Sequence, residues 1–181
     1  MRITGGFLKG RKIDTPKLVA RPTTDFAKEG LFNILANNYH FELLHVLDLF
    51  GGSGSISFEF ASRGCLDITC VEMNSLHASF IKKTALQLKL DVIRVVRHNV
   101  FDFILICKHS YDLIFADPPY DLYQLERLPD KIRSAELLRP NGIFILEHSG
   151  SFNFAEIQGF KKIKRYGNVH FSFFCFDQMQ T

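Results

Sequence analysis

The residues with the clearest chemical purpose are Asp117-Pro118-Pro119-Tyr120, at the end of the apolar run Tyr111-Asp112-Leu113-Ile114-Phe115-Ala116. Neither proline has an N–H, and each fixes its own φ, so a strand cannot continue through them. Asp117, standing before a proline, is held extended. The expected product is a rigid turn at the carboxyl end of a strand, carrying an acid, fixed backbone carbonyls and an aromatic ring. That set can hold a planar base by stacking while oxygens accept hydrogen bonds from its exocyclic NH2. The competing reading of the four residues alone is a plain strand-to-loop turn with a surface tyrosine.

A second group lies upstream. Asp48 and Phe50-Gly51-Gly52-Ser53-Gly54 end one strand and open a glycine loop that lets a ligand approach the backbone at a helix N-terminus. Glu72, with Met73 beside it, is about twenty residues further on and is spaced to take a ribose diol. Asn99 is placed to meet an adenine edge, helped by the Val100 N–H. Together these residues describe a site for a nucleoside cofactor. A nicotinamide dinucleotide fits poorly, because Gly52-Ser53-Gly54-Ser55-Ile56-Ser57 has serine at the third fingerprint position. S-adenosylmethionine fits better, since it needs adenine and ribose contacts without a pyrophosphate site.

The elements that must position these groups alternate in type. Expected strands are His45–Phe50, Ile68–Glu72, Val92–Val96, Tyr111–Ala116 and Ile143–Glu147. Helices follow the glycine loop to about Arg63, then span Ser75–Leu90, Asn99–Lys108 and part of 121–138, the last closed by Pro140-Asn141-Gly142. Alternation of this kind means a parallel sheet covered on both faces. Two tail strands, Phe160–Arg165 and Val169–Phe176, join at Tyr166-Gly167-Asn168 as a hairpin, which makes the last strand antiparallel. The fold expected is therefore α/β and Rossmann-like, with a mostly parallel seven-stranded sheet. In such a sheet ligands bind beyond the carboxyl ends of the strands, where all four candidate groups fall. Ahead of this core, Arg2–Ile13 reads as a small hairpin outside the main core. A helix capped by Thr or Asp runs from there to about Asn37 and contains Gly30, which has no evident structural role.

A chain of 181 residues that is 46% hydrophobic supports one domain with a proper core. Residues 1–40 are read as a basic extension and 41–181 as the catalytic core. No apolar run reaches the roughly 18 residues of a membrane span, and the start does not read as a signal peptide, so a cytoplasmic protein is expected. Cys65, Cys70, Cys107 and Cys175 lack CxxC spacing, and the seven histidines lack paired-ligand spacing. Reduced thiols and no metal are the expectation. The net charge of +3 is uneven: residues 1–28 carry Arg2, Lys9, Arg11, Lys12, Lys17, Arg21 and Lys28 against Asp14 and Asp25. A basic arm on a near-neutral body suits a polyanion, and Lys161-Lys162-Ile163-Lys164-Arg165 adds a second cluster.

Asp48-Leu49-Phe50-Gly51-Gly52-Ser53-Gly54 with Asp117-Pro118-Pro119-Tyr120 resembles the S-adenosylmethionine-dependent amino-methyltransferases that act on nucleic-acid bases. Arg2-Ile3, Gly5-Gly6, Lys9-Gly10-Arg11, Arg21-Pro22-Thr23, Glu29 and Phe32 are similar to the N-terminal signature of the RsmD-type enzymes. Those are bacterial small-subunit rRNA guanine-N2 methyltransferases. Glu59 and Ser62-Arg63-Gly64 match as well, and the likeness covers nearly the whole chain. It departs at Thr84, where asparagine is usual, and at Val100, where a smaller residue is commoner; neither is a catalytic group.

The resemblance implies methyl transfer to a guanine exocyclic amine in 16S rRNA, within a partly or fully assembled small subunit. It implies catalysis at Asp117, Pro118, Pro119 and Tyr120. Arg2, Lys9, Arg11, Lys12, Arg21 and Thr23 are the candidate RNA contacts, and a monomer is expected. An N6-adenine methyltransferase would use the same four-residue turn. A non-catalytic RNA-binding module is the reading from another class, and it leaves Glu72 and Asn99 without a task.

Overall fold

The computed structural model describes residues 1–15, 24–119 and 121–176. Its strands are β1 (His45–Leu49), β2 (Asp67–Val71), β3 (Ile93–Val96), β4 (Tyr111–Ala116), β5 (Leu138–His148), β6 (Phe160–Tyr166) and β7 (Val169–Phe174). They form one sheet in the order β3-β2-β1-β4-β5-β7-β6. The pairings from β3 through β5 are parallel, and β7 is antiparallel to both β5 and β6. After β1 the chain builds outward through β2 and β3, then returns to lay β4 on the other side of β1. The order reverses between β1 and β4, so the loops leaving those two strands part and open a crevice.

The helices are α1 (Asp25–Ala36), α2 (Ser55–Ser62), α3 (Ser75–Gln87), α4 (Val100–Ile106) and α5 (Leu128–Ser134). Alternation along the buried strands feeds two cores, one on each face. Val46, Leu113, Phe115 and Ile145 join Leu31, Phe58 and Ile81 of α1–α3. Leu47, Ile114, Phe144 and Leu146 meet Phe103 and Ile132 of α4 and α5. No described helix is long and apolar enough to cross a membrane.

Three local expectations change. Residues 1–13 do form a hairpin-like turn, with a bridge between Arg2 and Lys12, but they are not outside the core. Ile3 and Ile13 are buried in it, because the turn docks on the end of α2. Phe7 N–H donates to the Ser62 carbonyl at 2.9 Å, and the Ser62 hydroxyl donates to the Gly5 carbonyl at 2.6 Å. Gly6, at φ 72°, lies so close to Ser62 that a Cβ would stand 1.7 Å from its carbonyl oxygen.

Gly30 does have a structural role. A Cβ there would come within 2.2 Å of the Tyr166 ring on β6, so glycine is what lets α1 lie against the sheet edge. Lastly, Pro140-Asn141-Gly142 does not end a helix but sits inside β5, where the register with β4 shifts between Tyr111 and Leu113. A bulge accommodates the proline there, since the bulged residues owe the ladder no N–H.

Candidate active site

The crevice is built from two loops that leave neighbouring strands. Leu49 of β1 lies beside Ala116 of β4, so Phe50 and Asp117 start their loops side by side. A long 3.4 Å contact from the Asp117 N–H to the Leu49 carbonyl joins them. Phe50 turns the chain at φ 64°, a conformation that a bulky residue holds only when its surroundings enforce it. Here the ring packs against Phe101 of α4, centroids 6.4 Å apart. Gly51 then passes so near Cys70 that a Cβ would lie 2.5 Å from its sulfur, whereas at Gly52, φ 54°, a Cβ would meet only the Phe50 carbonyl at 3.7 Å. Gly51 is thus pressed onto the sheet while Gly52 faces open space. A ligand can reach the backbone at Gly52.

Glu72 directly follows β2 and is buried, at 8% exposure. Its carboxylate accepts from the Gly52 N–H and the Asn74 N–H, both at 2.7 Å. The acid therefore braces the glycine loop as well as standing where a ribose would lie. Glu72→Ala should weaken S-adenosylmethionine binding by about 1.5–3 kcal/mol, with a smaller loss of stability because two backbone donors are left without their acceptor. Unchanged affinity in calorimetry would reduce Glu72 to a brace.

Asp48 does not point into the crevice. It is 2% exposed and turns under the loop, where it accepts from the Ser57 N–H at 3.1 Å and the Ser57 hydroxyl at 2.5 Å. Burial raises its pKa to about 7 in spite of those two donors. Its part is to fix the start of α2 against β1, a positioning role rather than cofactor contact. Ser57, the serine that broke the dinucleotide fingerprint, is therefore Asp48's partner. The broken fingerprint was the signal that could have found it.

Asn99 caps α4 through its side-chain oxygen, which accepts from Phe101 and Asp102 N–H at 2.8 and 3.3 Å. Only its amide NH2, 3.7 Å from the sulfur of the exposed Met73, faces outward. Val100 opens α4, and first-turn N–H groups have no intrahelical acceptor. With the Phe101 and Asp102 N–H groups taken by the cap, the outward donor here is the Asn99 amide. At the Asp-Pro-Pro turn Asp117 is half-buried, Pro118 buried and Pro119 exposed. The Pro119 carbonyl accepts from Leu122 N–H at 2.9 Å. Tyr120, Arg21 and Thr23 lie outside the described residues.

Behind the loop, Ser55 at the start of α2 accepts from the Lys28 ammonium at 3.0 Å. Lys28, which by sequence belongs to the basic arm, is 1% exposed. Its ammonium also donates to the Arg2 carbonyl at 2.6 Å and lies 3.7 Å from the buried Glu59. Burial pulls its pKa below the usual lysine value, against the pull of Glu59. Glu59 further accepts from Thr4 N–H and hydroxyl, each at 2.8 Å, and pairs with Arg63 at 2.8 Å. Arg2 pairs with Asp25 and Glu29 at 3.1 and 3.5 Å. Lys9, Arg11 and Lys12 remain exposed. Among the described residues no group of three His, Cys, Asp or Glu could hold a metal ion, and all four cysteines are free thiols.

Strand order, the antiparallel β7, and a glycine loop beside an Asp-Pro-Pro turn at the switch point define a Rossmann-like fold of the S-adenosylmethionine-dependent methyltransferase type. The chain belongs to the RsmD-type family: the family described as "Conserved hypothetical protein 95" matches residues 1–175. Among relatives, the Ribosomal RNA small subunit methyltransferase D of Buchnera aphidicola is 32% identical over 133 residues, 74% of this chain and 67% of that protein. The protein of the same name in Escherichia coli K12 is 35% identical over 145 residues, 78% and 68% of the two chains. The solved structure of Escherichia coli yhhF superposes with a TM-score of 0.85 at 28% identity, covering 98% and 99% of the two chains.

Proposed function

We propose that this protein transfers the methyl group of S-adenosylmethionine to the exocyclic N2 amine of a guanine in small-subunit rRNA. The observation that carries the reading is the direct adjacency of the two loops, with Leu49 beside Ala116 and Asp117 following at once. A cofactor along Gly52 and Glu72 therefore has its reactive end beside the Asp117 turn. The names of the relatives support rRNA as the substrate.

The residues fit the cofactor. Gly52 offers open backbone, Glu72 two acceptor oxygens for a ribose diol, and the Asn99 amide with the Val100 N–H offers donors for an adenine edge. When bound, S-adenosylmethionine supplies a methyl group activated by its sulfonium. The chain's own task is to prepare the amine, a poor nucleophile because its lone pair is delocalised into the ring. The Asp117 carboxylate and the Pro118 carbonyl accept hydrogen bonds from its NH2 and draw the lone pair out of the ring plane, and one N–H proton is given up as the methyl is gained. Tyr120 stacks on a base taken out of its helix. Most of the acceleration then comes from positioning.

The RNA lies over the hairpin turn, α1 and β6. Lys9, Arg11 and Lys12 are exposed at one end of this face, and Lys161, Lys162 and Lys164 at the other; Arg165 turns to the opposite face of the sheet. The exposed Phe26 stands between them, packed edge-on to Tyr166 at 5.7 Å. Neutralising Lys9, Arg11 or Lys12 should lower RNA affinity and reduce the salt slope by roughly 0.7–0.9 for each phosphate left without its cation, with cofactor binding intact. Arg2→Gln should reduce it less, because Arg2 is already paired. A slope unchanged after two such substitutions would make the turn an ordinary solvated surface.

With so little recognition surface, the folded shape of the rRNA, within a partly or fully assembled subunit, supplies much of the specificity. The protein acts as a cytoplasmic monomer. The test is incubation with methyl-labelled S-adenosylmethionine and either naked small-subunit rRNA or isolated small subunits. Label should appear in N2-methylguanosine, and label in N6-methyladenosine would replace guanine by adenine in the account.

A further inference from the structure

The sheet edge that holds the Asp117 turn continues past it. Ala116 of β4 lies beside Leu146 of β5, and His148 of β5 beside His170 of β7. The region where β5 ends and β7 begins is thus two strands from Asp117, about 10 Å at ordinary strand spacing. Here the chain leaving β5 encloses a cavity of about 350 Å³ lined by Gly150, Phe152, Phe154, Ile163, Arg165 and His170. That size falls in the range of small-molecule sites. None of the residues assigned above to cofactor or target amine lines it.

Its walls are built rather than incidental. His148 is fully buried, and burial lowers its pKa, favouring the neutral ring. Nδ1 donates to the Ser149 carbonyl and Nε2 accepts from the Ser172 hydroxyl, both at 2.8 Å. This fixed ring packs edge-on against Phe154 at 4.8 Å, and Phe154 stacks with Phe152, centroids 6.2 Å apart and planes 24° from parallel. Gly150 brings the backbone against His170, where a Cβ would stand 2.9 Å from the ring. Phe152 and His170 are only half-buried, and Arg165, paired with His170 across the β6–β7 ladder, is exposed. Two half-buried rings and one exposed cation therefore line the cavity.

We propose that this cavity is a subsite for the nucleotide next to the target guanine, its base held against Phe152 and His170 and its phosphate at Arg165. The inference rests on the rRNA-methylation reading. Turning one base out of a strand strips its neighbour of a stacking partner, and sequence-tolerant recognition of such bases uses aromatic faces beside a cation. A position two strands from Asp117 on the same edge is where that neighbour would lie.

The test uses the full chain with S-adenosylhomocysteine present and a fluorescein-labelled, guanine-containing single-stranded RNA of about 8 nucleotides. Phe152→Leu keeps apolar bulk but removes the ring face, and should weaken binding roughly 5- to 150-fold. Melting temperature and cofactor affinity should stay native, and Phe152→Tyr should restore binding. Arg165→Gln, at an exposed position that leaves the fold alone, should lower the salt slope by roughly 0.7. Native affinity in Phe152→Leu and His170→Leu, with an unchanged slope in Arg165→Gln, would overturn the subsite and leave the methylation reading standing. A native protein that binds the probe through these residues yet methylates no rRNA would overturn that reading instead.

Discussion

Asp117→Ala should cut rRNA methylation by about 10²- to 10³-fold, the scale for removing one preorganised hydrogen-bond partner from reacting atoms. S-adenosylmethionine affinity should hold, because the residues proposed to anchor the cofactor, Gly52, Glu72 and Asn99, lie on other loops. Asp117→Asn is the finer probe. An amide oxygen still accepts from the NH2, so appreciable residual turnover would show that the carboxylate orients the amine, and complete loss would show that it also takes the proton. At the other end of the turn, Tyr120→Phe should keep most activity while Tyr120→Ala should lose about 1–3 kcal/mol of base-holding energy. Single-turnover rates with cofactor calorimetry on each variant check all four.

Glu59→Ala should destabilise the fold by about 3–5 kcal/mol, the cost of breaking a buried ion pair and leaving its partners charged. Glu59 is wholly buried between Lys28 at 3.7 Å and Arg63 at 2.8 Å, and it also accepts both Thr4 donors. Its loss leaves two cations facing each other and unfastens the N-terminal turn from α2. Pairing it with Lys28→Met removes one of the stranded charges and should recover part of the stability. Chemical denaturation measures both, and a loss below about 1 kcal/mol for the single variant would mean that water reaches the site. The loss should spread to cofactor affinity, since Lys28 also holds Ser55 behind the glycine loop.

Where function was legible in the sequence, the signal was local. The glycine loop and the Asp-Pro-Pro turn are written in backbone chemistry at single strand ends, and strand alternation alone puts both on one edge. What stayed hidden depends on neighbours far along the chain. Lys28 reads as one more charge in a basic arm, and only the fold reveals that it is enclosed by Glu59 and Ser55. Gly30 makes sense only beside Tyr166. Asp48 and Glu72 stand at strand ends as the sequence suggests, yet burial turns Asp48 beneath the loop and has Glu72 accept from the Gly52 N–H. The β5 bulge was missed because proline, asparagine and glycine together mark a break equally well in a loop or in a strand. The cavity by His148 escaped notice because scattered histidines and phenylalanines carry no spacing.

The central claim is that Asp117 presents a guanine amine of small-subunit rRNA to a bound methyl donor. It is tested most directly by mass spectrometry of rRNA nucleosides from cells lacking the gene, complemented with the native or the Asp117→Ala protein. The account predicts that one N2-methylguanosine disappears from small-subunit rRNA, returns with the native protein, and stays absent with Asp117→Ala. An N2-methylguanosine level that is the same in all three strains would contradict it.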